Sequence, residues 1–118
     1  MHTKSEYFSI LILLISLTLG LSMVEANAES RNDDEAFSAA VQAVKAGDYS
    51  RALTLFEQQA NKAKHDAQYN TAVLLQAGKG RPRNYPDALY WGWLAQLGGI
   101  EEAEDIANDM LDILTEDD

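Results

Sequence analysis

Downstream of residue 33, apolar side chains recur at helical spacing, and no stretch shows the alternation of a half-buried strand. Phe37, Ala40, Val41 and Val44 stand at i, i+3, i+4 and i+7, predicting a first helix over 34–46 that Gly47-Asp48 stops. Ser50 is the expected N-cap of a second helix over 51–63, with Ala52, Leu55, Phe56 and Ala60 on one face. So short a turn makes these two an antiparallel hairpin. Asp66 is the expected cap of a third helix over 67–77, with Ala67, Leu74 and Leu75 inward. Gly78 to Asn84, with two glycines and a proline, is the longest loop. Pro86 opens a fourth helix that ends at Gly98-Gly99. A fifth, over 101–114, is expected to bury Ala103, Ile106, Ala107, Met110, Ile113 and Leu114. The fold class is all-α.

The N-terminal pattern is of another kind. A weakly basic lead, Met1 to Phe8, precedes an apolar run from Ile10 to Val24 that contains no charge. Ala26-Asn27-Ala28 follows, the small-x-small pattern of signal peptidase sites. This predicts a signal peptide over 1–28, cleaved after Ala28, then a leader over 29–33, the helical domain over 34–114 and an acidic tail over 115–118. The alternative is an uncleaved membrane anchor, for which the run is short against the roughly 20 residues of a span. Cleavage predicts a periplasmic or secreted domain with no membrane contact. The chain has no Cys, which excludes a lipid-modified cysteine and any disulfide. So small a domain must then be held by packing alone.

The chain also repeats itself. Asp48-Tyr49-Ser50-Arg51-Ala52-Leu53 aligns with Asn84-Tyr85-Pro86-Asp87-Ala88-Leu89 at an offset of 36 residues, and the same offset carries Ala67 onto Ala103 and Ala63 onto Gly99. Alanines at fixed places allow close helix approach, and a tyrosine before each second helix can fill the gap between helices. The pattern predicts a short solenoid of α-hairpins.

Ala67-Gln68-Tyr69-Asn70, Gly78-Lys79-Gly80, Pro82, Asn84-Tyr85, Ala88-Leu89, Trp91, Ala95 and Gly99 together resemble a Sel1-like repeat, a relative of the tetratricopeptide repeat. The segment 43–60, with Ala46-Gly47-Asp48-Tyr49 and Ala52-Leu53, is similar to an ordinary tetratricopeptide unit. The resemblance implies five helices stacked as hairpins, the last being the first helix of a truncated unit. It also implies an adaptor that scaffolds or regulates other proteins. The chain departs from the family pattern at Ala72 and at Arg81, and its lack of cysteine departs from the disulfide-rich exported subgroup.

The fourth helix is apolar all round. Ala88, Trp91, Gly92 and Ala95 share the face expected against its partner helix, and Tyr90, Trp93, Leu94 and Leu97 share the opposite one. Either the fifth helix covers this second face as a cap, or the face is exposed as a site for protein binding or self-association. Trp and Tyr are enriched in binding hot spots.

Charge narrows the partners. Residues 29–118 hold 17 acidic and 8 basic side chains, a formal charge of −9, which argues against nucleic acid and anionic lipid. The basic cluster of the central loop, Lys79, Arg81 and Arg83, is either a solvated set of weak surface pairs or an anion contact for a partner's acidic segment. His65 is the single histidine of this part and is expected to be exposed before the third helix. No catalytic, metal-binding or phosphate-binding motif occurs, so neither enzymatic chemistry nor a cofactor is expected. The function expected is that of a non-catalytic exported adaptor; the alternative is a structural subunit or obligate homodimer of an envelope complex.

Overall fold

The computed structural model describes residues 3–116; Met1 and His2 of the lead, and residues 117–118 of the acidic tail, lie outside the described residues. Five α-helices follow in order: α1 (Lys4–Lys45), α2 (Tyr49–Ala60), α3 (His65–Ala77), α4 (Tyr85–Leu97) and α5 (Ala103–Glu116). The described residues contain no strand.

The expected first helix is the last part of a 42-residue one. No Gly or Pro lies between Gly20 and Gly47, and the intervening Ala, Glu, Ser and Arg residues favour or tolerate helix. Residues 29–33, expected as a leader, are therefore helical. The chain divides into two compact units, residues 1–34 and 35–118. In the first, the apolar side chains from Tyr7 to Val24 that are described face outward. By length and composition this helix could cross a membrane, a property that signal sequences share.

The second unit is built around Phe56, Leu53, Leu75 and Met110, all essentially without solvent contact. Phe37 meets Phe56 edge to face at 5.5 Å between ring centres. Ala52 and Ala88, and Ala67 and Ala103, the alanine pairs of the internal repeat, are all fully buried. Buried alanines let helices approach closely, so the core trades side-chain volume for short interhelical distances. The repeated tyrosines, Tyr49 and Tyr85, are half-buried and pack on this core. Polar burial is compensated locally: Thr71 Oγ1 donates to the Ala67 carbonyl at 2.8 Å. Among the described residues no buried side-chain nitrogen or oxygen lacks a partner.

The helix ends show the 36-residue offset in their hydrogen bonds. At the end of α2, the Lys64 and Ala63 N–H groups donate to the Gln59 and Ala60 carbonyls at 3.2 and 3.1 Å. At the end of α4, Ile100 and Gly99 donate to Ala95 and Gln96, each at 3.0 Å. Both are Schellman closures, which place the penultimate donor at positive φ: Ala63 at 60° and Gly99 at 97°. At the opposite ends, Asp48 accepts from the Arg51 N–H at 3.2 Å and Asn84 from the Asp87 N–H at 3.0 Å.

Several boundaries differ from expectation. Asp48, not Ser50, caps α2, because the closure of α1 already runs through the Asp48 N–H (to Ala43 O, 2.9 Å) and sets its side chain over the next helix. Asp66 lies within the first turn of α3 rather than capping it. The Lys64 N–H is consumed in closing α2, so α3 starts at once, with no side-chain cap. Helix α5 starts two residues late, after a turn at Glu101-Glu102, and leaves Ile113 exposed and Leu114 half-buried.

Candidate interaction surface

Helix α4 is flanked by α3 and α5, and this decides which of its faces is hidden. Ala88, Leu89, Gly92 and Ala95 are buried. Trp91, expected with them, is only half-buried, and Leu89 takes the inner place. With a wall on each side, the buried stripe is turned toward Leu89 and away from Trp91. Gly92 is where α5 crosses: a Cβ there would lie 3.6 Å from the Ala107 nitrogen and 3.6 Å from Ile106 Cγ2. A methyl group there would make ordinary van der Waals contact with α5.

Because α5 crosses at Gly92, it does not cover the opposite face. Tyr90 is 55% exposed, Trp93 46% and Leu97 84%, while Leu94 is half-buried. The Tyr90 ring leans edgewise on Trp91, with centres 4.9 Å apart. Beside this face lies an open cleft of about 360 Å³, lined by Ala60, Asn61, Ala63, His65, Gln68, Tyr90, Trp91, Leu94, Leu97 and Gly98. Its walls are the end of α2, the start of α3 and the outer side of α4.

Its floor is held by a hydrogen-bonded chain. The buried Gln68 donates from Nε2 to the Ala60 carbonyl at 3.2 Å, and its Oε1 stands 2.9 Å from His65 Nδ1. A carbonyl can only accept, so the amide nitrogen must face Ala60 and the amide oxygen must face His65. In the neutral ring that puts the proton on Nδ1 and leaves Nε2 as an acceptor. His65 is exposed, as expected, yet its ring abuts Gly98 at the end of α4. The start of α3 thus touches α4 through this imidazole and α2 through Gln68.

The basic loop is occupied otherwise. Lys79 Nζ lies 3.4 Å from the Tyr49 hydroxyl and 4.6 Å from the centre of its ring. Arg81 pairs with Glu57. Arg83 packs along Gly78. Two of the three cations thus fasten the α3–α4 loop to α2, and the structure does not bring the three together with Tyr90, Trp93, Leu94 and Leu97.

Sequence reasoning did not single out Gln68, Asn61 or the exposed lysines Lys62 and Lys64 beside the cleft. The Ala63-to-Gly99 correspondence was the available signal, since it marks both turns that border the cleft. Among the described residues no three His, Asp or Glu side chains are placed to hold a metal ion. Comparison with known proteins returns no match: no family model, no curated protein and no solved structure matches the chain.

Proposed function

We propose that the chain is an exported, non-catalytic adaptor of the Sel1-like and tetratricopeptide-like kind, which binds another protein through the outer face of α4. The observation that carries this reading is the exposure of Tyr90, Trp93 and Leu97 on one face beside an apolar cleft. Large aromatic and aliphatic side chains left in water on so small a domain are the usual mark of a contact site. The recurrence of helix caps at an offset of 36 residues supports a stack of α-hairpins. Cleavage after Ala28 would release residues 29–118 into the periplasm or medium.

A photo-crosslinking residue in place of Trp93, in the producing cell, tests the binding role. The expected result is a discrete adduct with a partner protein, absent when the probe replaces Glu104 on the acidic side of α5. No adduct from Trp93 or from Leu97 would overturn the reading. N-terminal sequencing of the exported form is expected to begin at Glu29. Recovery only of chains that retain residues 1–28 would remove the export step.

The second reading is an obligate self-associating subunit. It is favoured by the size of the core: two hairpins and one further helix, with no disulfide, leave little buried surface to stabilise a monomer.

A further inference from the structure

The outer side of α4 has a symmetry that its composition alone does not convey. At about 3.6 residues per turn, Pro86, Tyr90, Trp93 and Leu97 fall within about 60° of one another, and all four are exposed. Gly92, where α5 crosses, lies roughly 130° round the helix from their centre, so α5 does not obstruct them. Their spacings are 4, 3 and 4 residues, the alternation by which two helices keep one seam in contact. That order reads the same from either end. Its midpoint falls between Trp91 and Gly92, so an antiparallel copy of the same helix sets Pro86 opposite Leu97 and Tyr90 opposite Trp93, twice over.

Charge favours the same occupant. From Ala88 to Ile100 the chain carries no charged residue, in a molecule of net charge −10. Asp87 stands to one side of the stripe, with its carboxylate accepting from the Asn84 amide at 2.9 Å. The seam offers no cation for an acidic partner and no carboxylate for a basic one. Two copies of the chain repel each other at long range, and this stripe lets them touch with no carboxylate at the centre.

We propose that α4 pairs with α4 of a second copy of the chain, antiparallel about a two-fold axis. Tyr90 packs on Trp93 of the second copy, and Leu97 on its Pro86. The same patch serves on both molecules, so the contact closes at two. A whole aromatic side chain buries about 150–250 Å², and Tyr90 and Trp93 are each about half covered already. The stripe therefore falls short of the roughly 800 Å² per partner of a standard interface, and the pair is reversible, forming as concentration rises. The inference rests on reading the outer face of α4 as a contact site, and it names the occupant.

The absence of cysteine from the chain permits a direct test. Pro86→Cys and Leu97→Cys variants of the full chain are produced singly and together in one cell and treated with a short bismaleimide. Both positions are exposed, and a mixed pair keeps one native end of the seam. Co-production is expected to yield a linked dimer that neither variant forms alone, since the two Leu97 positions of an antiparallel pair stand about 16 Å apart along the helix axes. Leu97→Cys with Ser50→Cys, an exposed position on α2, is expected to stay unlinked. The two Trp93 positions lie only about 4–5 Å apart along the axes. Trp93→Lys in both copies is therefore expected to lower linkage at least tenfold, and Trp93→Lys in one copy with Trp93→Glu in the other to restore it. Linkage of Leu97→Cys to itself, equal linkage through Ser50→Cys, no linkage while the thiols react with a simple maleimide, unchanged linkage with two lysines, or no return with opposite charges would each overturn the inference. If the Trp93 photo-probe captures a different protein while the Pro86–Leu97 link is absent, this inference falls and the adaptor reading stands. If the probe labels lipid alone, or neither product forms, both fall.

Discussion

The imidazole of His65 lies against the α-carbon of Gly98, so close that a methyl group there would collide with the ring. Gly98 has ordinary helical dihedrals, φ −80° and ψ 0°, so alanine would suit the backbone and only the ring forbids it. Gly98→Ala is expected to lower stability by about 1 kcal/mol, since the exposed ring can swing away at the expense of its bond to Gln68. In a His65→Ala background the same substitution is expected to be neutral or slightly favourable. A urea-denaturation double-mutant cycle checks this, and additivity of the two changes would contradict the contact.

Gly80 presents a harder constraint. It sits at φ +88°, and a Cβ would lie 2.5 Å from the Tyr49 carbonyl oxygen. The obstacle is backbone and cannot rotate aside. Gly80→Ala is expected to cost about 2–3 kcal/mol, combining the left-handed penalty with displacement of the loop from α2. Gly47, at φ +75° in open space, supplies the comparison: Gly47→Ala should cost only the backbone term, about 1 kcal/mol. Equal losses in thermal melting would argue against the loop contact.

Ala63 adopts φ 60°, the only non-glycine among the described residues at positive φ. Its 36-residue counterpart is Gly99. Ala63→Gly is therefore expected to raise stability by about 0.5–1 kcal/mol, relief of left-handed strain exceeding the added freedom of the unfolded chain. For a domain of this size that is a rise of roughly 2–8 °C in Tm. A fall in Tm would mean that the methyl group packs usefully in the cleft.

The capping assignment is tested at two neighbouring positions. Asp48→Ala removes the acceptor for the Arg51 N–H and is expected to cost about 1 kcal/mol. Ser50→Ala is expected to change stability by less than about 0.5 kcal/mol, as an exposed position in the first turn of α2 that does not supply the cap. The reverse order in chemical denaturation would restore Ser50 as the cap.

Trp93→Ala with Leu97→Ala addresses the exposed face. Both side chains lie largely outside the core, so helical circular dichroism is expected to be retained, with capture of a partner reduced at least tenfold, about 1.4 kcal/mol. Loss of helicity would show that the face is structural.

The helical class, the order of the helices and most of the small-residue core were legible in the sequence, because 3.6-residue periodicity and buried alanines are local properties. The offset of 36 residues was legible as well, down to the pairing of Ala63 with Gly99, because helix ends are closed by hydrogen bonds between near neighbours. Local competition defeated the Ser50 and Asp66 assignments: each site has a nearby residue already committed to the preceding helix end. The fate of Trp91, Leu89 and the Tyr90–Trp93–Leu97 face was not legible. Helix α4 is apolar all round, so periodicity alone cannot choose its buried side. Tertiary packing decided it: α5 crosses α4 at Gly92 and leaves the aromatic face in water. The cleft, and the His65–Gln68–Ala60 chain beneath it, likewise exist only once α2, α3 and α4 have met.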